Sequence, residues 1–104
     1  MSFNNELAQV KDDSLPKGMR YISLRHCVEL YSPFGFNKTW EIMERKFGLK
    51  EGKENENEVF IKCAEFLEAD RNAWKQVIEA QQQMAKIRAK YGLPKPKFHC
   101  VHKA

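Results

Sequence analysis

Between Val59 and Tyr91 apolar side chains recur every three or four residues, and this spacing commits about a third of the chain to helix. Val59, Phe60, Cys63, Phe66 and Leu67 mark one face, which predicts a helix over 57–69. Val77, Ala80, Met84, Ile87 and Tyr91 repeat at heptad spacing, flanked by Trp74, and predict another over 71–91. Asp70 falls in phase with the first stripe, where a buried carboxylate is costly, so a bend or a new start is expected at 69–71. Gly92, Leu93 and Pro94 form a stop signal: a left-handed glycine, a hydrophobe that can pack back on Ile87, then proline.

The same period runs upstream. Tyr21, Leu24, Val28 and Tyr31 predict a helix over 19–31, closed by Ser32-Pro33, because proline disfavours helical geometry in the residue before it. Phe36, Trp40, Met43 and Phe47 predict a second over 37–47, with Asn37 as N-cap and Gly48 as the left-handed terminator. These two stripes are expected to face each other as a hairpin. No segment shows the two-residue alternation of a half-buried strand. The expected fold is therefore all-α: one small domain of three to four helices over residues 1–93, then a basic tail over 94–104. Its expected core is Leu24, Val28, Trp40, Met43, Phe47, Phe60, Phe66, Leu67, Trp74 and Val77.

At 104 residues the chain suits one domain, and 42% hydrophobic and 12% aromatic residues are globular values. No stretch approaches the roughly 18 apolar residues of a membrane span. The first residues, MSFNNELAQVKDD, lack the basic-then-apolar layout of a secretory signal. Cys27, Cys63 and Cys100 form an odd set without paired spacing, which suits a reducing compartment, and a cytoplasmic location is expected. The sequon Asn37-Lys38-Thr39 is read as chance in that setting.

Charge is strongly segregated. Residues 51–70 hold seven carboxylates against two cations, whereas residues 71–104 hold eight cations against one carboxylate. The acidic run Glu54-Asn55-Glu56-Asn57-Glu58 is read as a helix start. Asparagine followed three residues later by glutamate resembles a capping box, and the carboxylates favour the positive end of the macrodipole.

The basic last third is the candidate binding surface. On a helical wheel Arg71, Lys75, Gln82, Lys86 and Lys90 fall opposite the Val77–Met84–Tyr91 seam, with Glu79 among them, and Lys95, Lys97 and Lys103 extend the charge into the tail. Cations neutralise phosphates, and the amides of Asn72 and Gln81-Gln82-Gln83 can donate to and accept from base edges. The leading expectation is thus a non-enzymatic accessory protein that contacts nucleic acid, or a nucleic-acid-bound complex, through its last helix and tail. The alternative is a protein inhibitor or adaptor that docks Met84, Ile87, Tyr91, Leu93 and Phe98 on an acidic or apolar surface. Met84, Ile87 and Tyr91 are also candidates for a homodimer seam, unless Phe3, Leu7 and Val10 fold back to cover them.

Sharper chemistries fit less well. A helix-turn-helix over 19–47 would expose Glu41 and Glu44 on its reading helix, where they would repel phosphate, and its turn is long. His99, Cys100 and His102, joined by His26 and Cys27, contain zinc-ligand types, but the adjacent His-Cys spacing is a poor chelate, so no metal is expected. No nucleophile–base arrangement and no phosphate-cradling glycine loop stands out, so neither an enzyme nor a cofactor is expected.

Overall fold

The computed structural model describes residues 2–51 and 55–94. It contains four helices: α1 (Phe3–Lys11), α2 (Lys17–Leu30), α3 (Phe36–Phe47) and α4 (Asn57–Lys90). The all-α expectation holds, and among the described residues there is no strand.

The helix absent from the sequence reading is α1. Ser2 caps it, its hydroxyl accepting from the Asn5 N–H at 3.3 Å. Phe3, Leu7 and Val10, spaced by four and three, are buried against the rest of the fold. The segment therefore does fold back, but onto α2 and the first half of α4. Met84 and Ile87 remain 39% and 58% exposed, so α1 does not cover that seam. Asp12 stops α1 and accepts from both the N–H and the hydroxyl of Ser14, and these bonds lower its pKa.

Pro16 precedes α2, placed where its missing N–H costs nothing. Leu24, Cys27 and Val28 fill the centre of the core from this helix. Arg20 does so too, at 2% exposure, and is the largest buried side chain. Its Nε donates to the Val10 carbonyl at 2.8 Å, one of the carbonyls the end of α1 leaves open, and a terminal N–H donates to Asn57 Oδ1 at 2.7 Å. The guanidinium lies 4.7 Å from the Phe60 ring centroid. One cation thus ties α1, α2 and the start of α4 together, and burial lowers its pKa.

Two sequence expectations about caps are corrected. The residue before α3 is Gly35, at φ +84°, and Asn37 lies inside the helix, because Thr39 turns back to accept the Phe34 N–H at 3.2 Å. Asn55 is no capping-box residue. It is 1% exposed, accepts from the Lys50 N–H at 2.7 Å and donates to the Lys50 carbonyl at 2.8 Å, so it ties Lys50 to the residues just before α4. Gly48 behaves as expected: left-handed at φ +74°, with the Leu49 N–H reaching the Met43 carbonyl and the Leu49 side chain buried.

α4 is one helix of 34 residues rather than two. The expected break near Asp70 fails because the Tyr31 hydroxyl donates to the Asp70 carboxylate, giving that oxygen a partner without interrupting the backbone. The first half of α4 buries Phe60, Cys63, Ala64 and Leu67 completely, with Phe66 against Phe47 of α3 at 5.7 Å between rings. Trp40 and Phe36 stack at 5.7 Å on the outer side of the core, with Tyr21 edge-on to Trp40. Val77, expected in the core, is 45% exposed because it lies on the side of α4 that faces α3, and α3 does not reach it. The last turns of α4 therefore project from the body. The principal dimensions are 56 × 24 × 19 Å, and the radius of gyration of 16.7 Å exceeds the roughly 13 Å of a compact chain of this size.

Candidate docking surface on the projecting half of α4

Beyond Trp74 the helix has little tertiary support, so its own composition must hold it. Glu79–Lys90 reads EAQQQMAKIRAK, in which Ile87 alone departs from the strong helix formers. Gly92, at φ +68°, ends it, with the Leu93 N–H donating to the Arg88 carbonyl at 2.8 Å. The expected stop signal is formed, although Leu93 itself stays 57% exposed.

Three faces separate along this arm. The face continuous with the core carries Trp74, Ile78 and Ala85, all intermediate in exposure. About 120° around the helix lies a second row, Ala73, Val77, Ala80, Met84, Ile87 and Tyr91, and every member is exposed. Tyr91 reaches 68%. This row continues the side of α4 that Phe66 presents to α3, so the apolar stripe runs on where its cover stops.

The third face is basic. Lys75, Gln82, Lys86 and Lys90 are exposed on it together, with Glu79 between them. Arg71 stands at its foot but is already engaged, its guanidinium 4.5 Å from the Phe3 ring centroid. The Lys90 ammonium sits 5.8 Å from the Tyr91 ring. Lys95, Lys97, Phe98 and Lys103 lie outside the described residues, as do His99, Cys100 and His102.

A cleft of about 460 Å³ opens where the arm leaves the body, lined by Leu30, Tyr31, Arg71, Trp74, Lys75, Ile78 and Glu79. It joins apolar walls to two cations and a carboxylate. Sequence reasoning missed it, because Leu30 and Tyr31 of one wall lie 40 or more residues from the α4 side chains of the other. Met19 and Ile22 on α2 and Phe34 before α3 are exposed apolar side chains as well.

Of the residues weighed as zinc ligands, His26 and Cys27 lie among the described residues. Cys27 is fully buried, burial pushing its thiol up to about 12 with Glu6 adding to the shift, while His26 Nδ1 lies 3.3 Å from Glu6 Oε2. Cys63 is likewise buried and pushed up to about 12. No cluster of three metal-ligating side chains occurs among the described residues. Nor is any helix there long and apolar enough to cross a membrane.

Compared with known proteins, the chain matches no family model, no curated protein and no solved structure, so its function must be read from its own surface.

Proposed function

We propose that this chain is a non-enzymatic accessory protein that works by docking the projecting half of α4 on another protein. The observation that carries this reading is the exposed row Val77, Met84, Ile87 and Tyr91, 39–68% exposed at the spacing of one helix face. Single exposed hydrophobes are ordinary, but a contiguous stripe on an unsupported helix is the form of a helix-in-groove ligand. Burying such side chains stabilises a complex by about 25 cal/mol per Å² of apolar area, less the cost of association. The body supplies a rigid base, and the buried free thiols Cys27 and Cys63 suit a reducing compartment. A regulatory or inhibitory role fits an element of this kind, which offers a surface and no reacting group.

A second reading rests on the basic face. Lys75, Gln82, Lys86 and Lys90 share one exposed side of the arm and could contact the phosphates of a nucleic acid. That contact leaves the apolar stripe unused, which is why it ranks second.

Two double variants separate these readings. Met84→Asp/Ile87→Asp should abolish recovery of a protein partner from nuclease-treated lysate and leave any gel shift of mixed DNA intact. Lys86→Ala/Lys90→Ala should do the reverse, lowering the salt slope of the shift by up to about two charges. A protein partner retained by the aspartate variant would refute the docking reading.

A further inference from the structure

We infer that the apolar row of the α4 arm pairs with the same row of a second copy, in antiparallel orientation. The inference rests on the docking reading above and names its partner. In heptad terms Val77, Met84 and Tyr91 occupy one core position, and Ala73, Ala80 and Ile87 the other. An antiparallel pair centred between Ala80 and Met84 makes six layers: Ala73 against the partner's Tyr91, Val77 against the partner's Ile87, Ala80 against the partner's Met84, and the three symmetric repeats. Each alanine then meets a large side chain. A parallel pair would set Ala73 on Ala73 and Ala80 on Ala80, leaving two gaps, and Tyr91 on Tyr91, so its layers pack unevenly.

Within α4, residues 71–90 hold five cations against one glutamate, so the overlapping stretch is basic in either orientation and the layers, not charge, choose between them. The residues flanking the row are compatible, because Gln81 and Gln83 meet their own copies and Gln76 meets the partner's Lys90 with no like-charge pair.

Length agrees as well. Residues 73–91 span about 27 Å at 1.5 Å per residue, and this is the stretch that leaves the body near Trp74. Two arms laid head to tail over that length cover each other fully and hold the two bodies at opposite ends. The partner helix takes up the side of α4 that α3 covers one level below. The basic face, on the far side of the helix, stays outside the pairing and open to a second ligand.

Sedimentation equilibrium of the full chain tests the pairing. The expected mass rises with concentration from 12.2 kDa towards twice that value. Met84→Asp, at a site exposed in the single chain, should weaken association at least about tenfold without altering the fold. Orientation is read by mixing Ala80→Cys and Met84→Cys chains in a Cys100→Ser background and oxidising: the mixed 80–84 disulfide is expected to dominate. A wild type that stays at 12.2 kDa to millimolar concentration would overturn the second copy. Should that monomer bind an apolar dye that Met84→Asp no longer binds, the docking reading survives with another partner. Should it bind none, both fall. Dominance of the Ala80→Cys homodisulfide would overturn the antiparallel geometry.

Discussion

The Tyr31 hydroxyl donates to the Asp70 carboxylate and so pins the end of α2 to the middle of α4. Burial first, and this carboxylate second, raise the pKa of a phenol that is 3% exposed. Asp70 carries the helix past the level where the body ends, so the bond sits at the junction of core and arm. A hydrogen bond to a charged group contributes about 1.5–3 kcal/mol. Tyr31→Phe should cost that much in urea unfolding. In a double-mutant cycle with Asp70→Asn the two losses should overlap by about 1 kcal/mol or more, and strict additivity would contradict the assigned bond.

Arg20 should be the least replaceable polar residue. Arg20→Ala leaves the Val10 carbonyl and the Asn57 amide without a donor and opens a void beside Phe60. An unsatisfied buried carbonyl and a cavity together predict a loss of about 3–5 kcal/mol. Arg20→Lys should recover little, since one ammonium on a flexible stem cannot reproduce a planar fork that bonds in two directions. Full stability of the lysine variant in chemical unfolding would rule out this role.

Much of the architecture was legible in the residues, and the misses have physical causes. Periodicity revealed α2, α3 and α4, and Gly48 and Gly92 announced their ends. α1 was overlooked because Phe3, Leu7 and Val10 lie on a helix of only nine residues, marginal until α2 and α4 give it something to cover. The false break at Asp70 arose because Tyr31, its partner, lies 39 residues away in the chain. Burial depth along α4 was equally hidden: Phe66 and Met84 share one face, and the reach of α3 decides which is covered. Of the candidate site, the apolar and basic rows were readable, whereas the cleft at Leu30 and Trp74 required the packing of α2 on α4.

The two buried thiols predict an alkaline limit to stability. Their folded pKa values, pushed up to about 12 by burial, lie above the ordinary 9.0, so the unfolded chain loses these protons first. Their contribution is complete below about pH 9 and is lost as pH climbs towards 12. The melting temperature should therefore fall across that window, and Cys27→Val/Cys63→Val should flatten the fall. In the native protein at pH 8 neither Cys27 nor Cys63 should react with a thiol reagent on the timescale of an exposed cysteine. Rapid labelling of Cys27 would contradict its place in the core.

Trp40 should matter less than its size suggests. Only partly buried, it stacks on Phe36 and meets Tyr21 edge-on at the outer side of the core. Trp40→Ala is expected to cost about 2–3 kcal/mol, below the 3–5 kcal/mol typical of a fully buried aromatic. Denaturant unfolding of Trp40→Ala beside Phe60→Ala checks the order, which would be reversed if the Trp40 side of α3 were the true centre of the fold.

One division underlies the proposed docking: α4 up to Trp74 holds the domain together, and the helix beyond it is the proposed partner surface. Equilibrium unfolding in dilute solution, where the chain is alone, measures that division directly. Phe60→Ala, at a site with no exposure, should lose about 3–5 kcal/mol. The triple variant Val77→Ser/Met84→Ser/Ile87→Ser, at sites 39–58% exposed, should change stability by no more than about 1 kcal/mol in all, with the body's transition unmoved. A triple variant as damaged as Phe60→Ala would show that these side chains belong to the core, and the docking arm would have to be abandoned.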